Sequence, residues 1–298
     1  MNIECPCCAA DRAQIVRDGH FRRADDSATI QRYLCKHCGK KFSSATFCPT
    51  YRQRKRRINA AIKRLFASSV CQKDIAEAVG VHVNTVAARL RWQGEQSRLK
   101  NERWLTAYLD KCGPIGVVQF DDLVTFEHTK CKPLTVPMAV IDGRRIPLGF
   151  GVASIPASGP LAAIAREKYG KRADKSREVR EKLMKELKHR LPPDVHFKTD
   201  EHAHYPQLIK SAFPQATHET HKSVRGATTA QGELKKQGFD PLFSINHTFA
   251  TLRAKVNRLL RRSWCTTKDP ERLADHLDIF IDVFRDRLQV PEMTEGAI

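Results

Sequence analysis

Long hydrophobic runs and acidic charge are what this sequence has least of. Its 298 residues include 33 Asp and Glu against 52 Lys and Arg, which leaves a formal net charge of +19. No apolar segment is long enough to cross a bilayer, and the first residues lack the apolar core of a secretory signal. We therefore expect a cytoplasmic protein with no membrane partner, in which the ten cysteines do not form a disulfide framework.

The excess of positive charge indicates a polyanionic partner. Lysine and arginine neutralise phosphates and release the counterions condensed on DNA, so a chain of this charge is expected to bind double-stranded DNA. A generally basic surface that binds nothing is the alternative. The length allows one catalytic domain of ordinary size together with one or two small modules.

Two C-x-x-C knuckles near the N-terminus predict a zinc ribbon over residues 1–50. Two intervening residues let a tight turn direct both thiolates of a knuckle at one ion, and zinc takes four such ligands in a tetrahedron. A thioredoxin-like redox motif is the alternative, but its βαβ context is missing. Strands are expected over residues 29–34 and 40–42, on either side of the second knuckle, and Cys7 is a spare cysteine in the first. The expected structural zinc ligands are Cys5, Cys8, Cys35 and Cys38.

Residues 51–104 have the pattern of an all-α helix-turn-helix domain. A cationic run opens the segment, and Gly80 supplies the turn between two amphipathic stretches. In this motif the second helix, here about 82–92, enters the major groove of DNA. An ordinary helical hairpin is the alternative. The expected DNA contacts, including a later basic cluster, are Arg54, Arg56, Arg57, His82, Asn84, Thr85, Arg89, Arg258, Arg261 and Arg262.

The hydrophobic period changes at residue 115 and predicts an α+β domain with a mixed sheet over residues 115–290. Three strands precede a loop and a basic helix that together form an insertion over 156–195, and a further strand and helix follow. The expected strands are 115–121, 134–142, 145–154 and 195–200, and the expected helices are 171–191 and 244–262.

Asp121 and Asp200 each close a predicted strand, so the two carboxylates can converge at one rim of the sheet. Neighbouring carboxylates repel unless cations neutralise them, and a pair of magnesium ions can do so while clamping both oxygens of a phosphoryl transfer. A turn or capping role is the alternative for either acid alone. Asp122 is expected on the opposite face from Asp121, because side chains alternate along a strand.

The last predicted helix presents an apolar stripe, with Asn246 and Arg253 on one edge of it. Such an edge, where a buried face meets solvent, suits a ligand of an active site. A surface helix with solvated arginines is the alternative and also explains the stripe. Three acids in the stretch before the helix are further candidates for a third metal ligand, namely Glu219, Glu233 and Asp240.

At this point the chain resembles the zinc-ribbon transposases of insertion sequences, specifically insertion sequence one and its longer relatives. The resemblance covers nearly the whole chain. It rests on the two knuckles, the helix-turn-helix, Val118-Gln119-Phe120-Asp121-Asp122, Lys198-Thr199-Asp200 followed by Tyr205, and the stretch from Ile245-Asn246 to Leu252-Arg253. In that family a glutamate is followed seven residues later by a basic residue. Asn246 stands in the place of the glutamate and Arg253 in that of the basic residue.

The resemblance implies a ribonuclease-H-like domain whose Asp121, Asp200 and Asn246 hold two magnesium ions, with Arg253 beside the phosphate. The implied activity is a metal-dependent DNA transposase that cuts element ends, at terminal inverted repeats, and joins their 3′-hydroxyls to target DNA. An amide oxygen can bind magnesium but adds no charge. A prokaryotic, nucleoid-associated homodimer is implied. A non-catalytic DNA-binding regulator, or a nuclease without strand transfer, is the alternative.

Overall fold

The computed structural model describes residues 3–222, 240–260 and 265–285. Contacts between residues divide the chain into two compact units, Met1–Ile62 and Lys63–Ile298. None of the described helices is long and apolar enough to span a membrane. The domain boundaries expected at residues 50 and 104 stay a prediction.

The first unit contains a three-stranded antiparallel sheet in the order β1-β2-β3. Its strands are β1 (Ile15–Arg22), β2 (Thr29–Cys35) and β3 (Lys41–Ser43). The two strands expected around the second knuckle are therefore confirmed, and they pair through Tyr33 and Phe42. The small core beneath them is formed by Cys5, Cys35 and Phe42.

The second unit begins with helices. Gly80 has a φ of +64°, a left-handed conformation that glycine adopts without strain, and it forms the turn before the third helix. That helix does not end near residue 92 as expected but runs to Cys112, because Leu105 and Tyr108 on its last turns are buried in the main core. The helices are α1 (Asn59–Phe66), α2 (Gln72–Ala78) and α3 (Val83–Cys112).

A mixed sheet follows in the order β6-β5-β4-β8-β9, with β7 paired to β5. The first three of its strands in the chain are antiparallel neighbours, whereas β8 is parallel to β4 and β9 is parallel to β8. The α+β class with a mixed sheet is thus confirmed. The strands are β4 (Val117–Phe126), β5 (Pro133–Ile141), β6 (Pro147–Phe150), β7 (Ala153–Ser154), β8 (His196–Asp200) and β9 (Thr217–His221).

Helices cover both faces of this sheet, and each face has its own hydrophobic core. One core joins Phe120 to Leu183 and Tyr205, and the other joins Leu123 to Phe249 and Phe280. The alternation of Phe120 and Leu123 between the two cores follows from the period of two along a strand. The helices are α4 (Leu161–Tyr169), α5 (Ser176–Leu187), α6 (Tyr205–Ala212), α7 (Phe243–Lys255) and α8 (Pro270–Phe284).

Several elements differ from the expectation. The strand expected to end at Asp121 continues to Phe126, since its pairing with β5 extends that far. The strand expected over 145–154 is two short strands, separated at Gly151, whose missing side chain makes room for Val179 of α5. The segment 156–170, expected as a loop, contains α4, and the helix expected over 171–191 spans only α5. The strand β9 and the helix α8 were not predicted.

Candidate functional site

The four predicted zinc cysteines come together in the first unit. Their sulfur atoms all lie within 4.8 Å of one another. Cys5 Sγ is 3.6 Å from Cys38 Sγ, and Cys8 Sγ is 3.7 Å from Cys35 Sγ. Each close pair joins one cysteine of each knuckle, so the cluster ties the N-terminal turn to the hairpin of β2 and β3.

The geometry of the cluster fits a tetrahedral zinc ion. Zinc–sulfur bonds of about 2.3 Å place the sulfurs of a tetrahedron roughly 3.8 Å apart, close to the two distances above. Burial by itself raises the pKa of Cys5, but hydrogen bonds from the backbone N–H groups of Cys8 and Cys7 outweigh it and lower that pKa. At Cys38 the backbone hydrogen bond from Lys40 lowers the pKa, but burial and the neighbouring sulfurs outweigh it and raise the pKa, so a single thiolate is favoured before a metal binds. A thiolate is the form that binds a metal. Cys7 is exposed and lies outside the cluster.

The two candidate magnesium ligands of the second unit occupy corresponding positions on the parallel neighbours β4 and β8, beyond the last paired residues of the two strands. The pairing of β4 with β8 ends at Gln119 and Lys198, two residues before Asp121 and Asp200 respectively. Adjacent strands lie about 4.8 Å apart in a sheet. Asp121 is only 8% exposed, and Asp200 is half-buried.

Both acids face α7. The Gln119 side chain accepts a hydrogen bond from the backbone N–H of Ile245 (2.9 Å), and Leu123 packs in the core that contains α7. Asp121 stands between them in the alternation of β4 and therefore shares their face. On β8, Lys198 reaches this face too, because its Nζ donates to Asp142 Oδ2 (2.8 Å) while Gln119 Nε2 donates to Asp142 Oδ1 (2.6 Å). Asp200, two residues later, lies on the same side.

Asp122 faces the other way, as expected, and is committed to a buried ion pair. Its Oδ2 accepts hydrogen bonds from Arg180 Nε (3.0 Å) and Nη2, and from the Thr135 hydroxyl (2.9 Å). The side chains of Asp122 and Arg180 are each 9% exposed. Burial alone would lower the pKa of Arg180, but the bond and charge of Asp122 raise it. The pair holds β4 against α5 directly beside the candidate ligand Asp121.

Tyr205, at the start of α6, is the buried neighbour of this network. Its ring lies beneath the Arg180 guanidinium (5.7 Å) and stacks on His202 (4.6 Å). Burial raises the pKa of its hydroxyl, and the charges of Asp122, Asp121 and Asp200 raise it further, so the hydroxyl remains protonated beside all three acids. Among the described residues the hydroxyl has no hydrogen-bond partner.

Replacing Arg180 by alanine is expected to lower the free energy of unfolding by about 3–5 kcal/mol, because it leaves a buried carboxylate without its partner. Urea denaturation followed by circular dichroism measures the change. Arg177→Ala is the matched control, since Arg177 lies on the same helix and pairs with Glu181 at 2.8 Å in an 86% exposed position. The control is expected to unfold like the wild type. Equal midpoints for the two variants would contradict the prediction.

Asn246 lies on the first turns of α7 and is exposed. Its Nδ2 donates to Asp240 Oδ2 (2.8 Å), a bond that uses the amide nitrogen and not the oxygen that a magnesium ion would need. Arg253 follows two turns later and is half-buried. Among the part of the chain that is described, only the four cysteines form a group of three or more His, Cys, Asp or Glu ligand atoms.

The other acids considered for the third position have different partners. Asp240 accepts a bond from the backbone N–H of Leu242 (2.9 Å) as well as that from Asn246, so it caps the entry to α7. Glu219 on β9 contacts His196 (3.1 Å) and His221 (3.2 Å). Glu233 lies outside the described residues.

The predicted DNA contacts fall into two groups. The first group is accessible to a ligand. Asn84 is exposed and Thr85 is half-exposed at the start of α3. His82 precedes them, and its Nδ1 caps the helix by accepting a hydrogen bond from the backbone N–H of Asn84 (3.2 Å). Arg54 and Arg57 in the first unit are also exposed. The second group is buried or already paired within the protein. Arg89 is 8% exposed, and Arg56 pairs with Asp25 (2.8 Å). Arg258 donates a hydrogen bond to Thr267, and burial lowers its pKa. Arg261 and Arg262 lie outside the described residues.

Sequence inspection missed Arg180, whose partner stands 58 residues away, and no local pattern links the two. It also missed α8, for which signals were present. Asp269 caps the helix, Pro270 occupies its first turn, and Leu273 and Leu277 begin an apolar stripe.

The chain was compared with known proteins. No protein-family model matches it, and neither does any curated protein. Among solved structures, the Mos1 strand transfer complex is similar at 14% sequence identity and a TM-score of 0.25, over 77% of this chain and 76% of that chain. The Mos1 mariner paired end complex with Mn is similar at 16% identity and a TM-score of 0.23, over 74% and 78%. The catalytic domain of Mos1 mariner transposase gives 13% identity and a TM-score of 0.22, over 62% and 94%.

All three are structures of Mos1 transposase. The zinc-ribbon insertion-sequence family stays a prediction. At such low TM-scores the similarity carries no inference about activity. The site is therefore judged by its own side chains.

Proposed function

We propose that this protein is a DNA transposase that cuts element ends and joins their 3′-hydroxyls to target DNA. One observation carries the proposal: Asp121 and Asp200 each lie two residues beyond the last pair of the parallel neighbours β4 and β8, on the same face of the sheet. Carboxylates that converge at one rim of a sheet favour cations between them, and oxygen ligands suit magnesium. The net charge of +19 supports DNA as the partner.

The donor set fits a pair of magnesium ions held by Asp121, Asp200 and Asn246. When bound, the ions supply charge neutralisation and a reactive water for phosphodiester cleavage. Asp121 and Asp200 bring the negative charge, and Asn246 brings a neutral oxygen while its nitrogen is held by Asp240. Arg253, on the same helix as Asn246, neutralises the charge of the DNA phosphate. Asp122 is not a ligand in this proposal, because Arg180 holds it on the opposite face.

The other modules of the chain bind zinc and recognise DNA in this proposal. The four cysteines hold a structural zinc ion in the first unit. The α2–α3 pair recognises the terminal inverted repeats through Asn84 and Thr85 at the start of α3. A ribonuclease-H-like fold accounts for the mixed sheet with helices on both faces. Two protomers bring two ends together, and the protein acts in a prokaryotic nucleoid.

The test incubates the full-length protein with labelled element ends, with and without magnesium. The wild type is expected to nick the ends only with the metal. Asn246→Glu is expected to keep or increase the nicking rate and to lower the magnesium concentration needed for half-maximal rate, because it adds a charge to the site. Ala250→Glu, an exposed change one turn later on α7, is the matched control. Absence of nicking by the wild type would favour a non-catalytic DNA-binding regulator, and equal magnesium dependence in both variants would remove Asn246 from the site.

A further inference from the structure

A cluster of cations surrounds Tyr169, the last residue of α4, in the inserted segment that the proposed site does not use. The ammonium of Lys132 lies 4.8 Å from the centre of the Tyr169 ring, and that of Lys168 lies 5.6 Å from it. The ring is 37% exposed. An aromatic face attracts a cation, so the ring orders two lysine side chains that would otherwise move freely. We call these three residues the Tyr169 cluster.

Neither ammonium group of the cluster has a carboxylate partner in the part of the chain that the structure describes. Two ammonium groups within reach of one ring repel each other, and an anion between them would relieve the repulsion. Over residues 3–222, 240–260 and 265–285, no carboxylate lies within 4.0 Å of either ammonium. The nearby carboxylate of Glu127 is already taken by Arg172 (2.8 Å). Among the described residues, the two ammonium groups are therefore left available to an anion from outside.

The surroundings of the cluster extend the positive surface. Lys268 donates to His128 Nδ1 (2.8 Å) in the turn that follows β4, which brings a further exposed lysine to the same turn. The only acids in residues 127–132 and 161–172 are Glu127 and Glu167. The further exposed cations of these two segments are Lys130, Arg166 and Lys171.

The position of the cluster relates it to Asp121. Lys132 immediately follows the turn after β4, the strand that carries Asp121, and β4 continues for five residues beyond that acid. At about 3.3 Å per residue this is roughly 17 Å. A DNA duplex rises about 3.4 Å per base pair on each strand, so the distance corresponds to about five base pairs.

We propose that the Tyr169 cluster binds the phosphodiester backbone of duplex DNA on one side of the bond that is cut. The proposal rests on the proposed function for its choice of DNA as the polyanion. Lys132 and Lys168 contact phosphates, and the Tyr169 ring holds their ammonium groups in place. The contact is to the backbone and is independent of base sequence.

The experiment measures binding of the full-length protein to a labelled duplex without an element end, in the absence of divalent metal, by fluorescence anisotropy. Lys132→Ala/Lys168→Ala is expected to reduce the slope of log K against log salt by about 2 between about 50 and 200 mM KCl, one unit for each lost phosphate contact. Lys182→Ala/Lys185→Ala, which removes two exposed lysines of α5, is the control and is expected to keep the wild-type slope. Thermal unfolding checks both folds, and Lys132→Gln/Lys168→Gln replaces the alanine variant if that variant melts lower.

Equal slopes for the cluster variant and the control would overturn the proposal. So would an unchanged DNA slope together with lost binding to vesicles containing phosphatidylserine, which would assign the surface to a membrane. The titration is repeated in an Asp121→Ala/Asp200→Ala background, where no cutting is expected. A reduced slope with a wild type that never nicks DNA keeps the surface and removes the proposed function. If the cluster variant keeps the wild-type slope and the wild type nicks DNA, the proposed function is kept and the DNA-binding role of the Tyr169 cluster is rejected.

Discussion

Asp121→Ala and Asp200→Ala are each expected to lower the rate of magnesium-dependent nicking by about a hundredfold to a thousandfold, the scale of losing one preorganised charged group at a reaction centre. Each carboxylate brings one full negative charge to the face beneath α7, and alanine brings none. Gel analysis of labelled element ends measures the rate. Magnesium is also expected to raise the melting temperature of the wild type and not that of either variant, because a ligand stabilises only the state that binds it.

Asp194→Ala is the control for both substitutions. Asp194 is exposed in the loop before β8, at the opposite end of the strand from Asp200. Its substitution by alanine also removes one carboxylate. Its nicking rate and its melting shift are expected to equal those of the wild type. Nicking that survives both Asp121→Ala and Asp200→Ala would reject this site, and a stabilisation by magnesium in those variants would mean that the ions bind elsewhere.

Loss of zinc is expected to unfold the first unit and leave the second folded. The first unit buries only a small core around Cys5, Cys35 and Phe42, and small domains with so little core are commonly stabilised by a structural metal or a disulfide. Zinc contributes an apparent binding free energy of about 10–16 kcal/mol in zinc-finger peptides at pH 7, which exceeds what such a core supplies. Adding a chelator is expected to expose residues 3–62 to limited proteolysis, while fragments beginning beyond Lys63 persist.

Single cysteine variants separate the metal site from general effects of mutation. Cys35→Ser removes a fully buried ligand and is expected to abolish bound zinc, as measured by elemental mass spectrometry of the purified protein. Cys7→Ser changes an exposed cysteine of the same knuckle outside the cluster and is expected to retain one zinc ion per chain. Equal zinc content in the two variants would reject the assignment of the four ligands.

The four-cysteine cluster could be predicted from the sequence because the geometry of each knuckle is local. The two residues between paired cysteines determine a tight turn, and the hairpin of β2 and β3 carries the second knuckle. The full length of α3 could not be predicted in the same way. Its second half is a helix because Leu105 and Tyr108 pack into a core built by distant strands and helices.

The missed elements have similar explanations. The strand β9 reads Thr217-His218-Glu219-Thr220-His221, a polar sequence with no apolar period, and it is a strand because its backbone pairs with β8. Its strand conformation depends on a partner strand that the sequence does not reveal. By contrast, the cap and the apolar stripe of α8 are local signals, and a closer inspection of residues 269–284 would have found that helix.

The two aspartates of β4, Asp121 and Asp122, show which features follow from the sequence and which follow from the tertiary structure. The sequence alone determined that Asp121 and Asp122 point to opposite faces, because side chains alternate along a strand. Only the tertiary structure decided what each one meets. Parallel pairing with β8 places Asp200 at the position along the sheet that corresponds to Asp121, while the packing of α5 brings Arg180 to Asp122. Sequence distance contains no information about these partners, since the sheet register and the helix packing that create them are set by burial of the two cores.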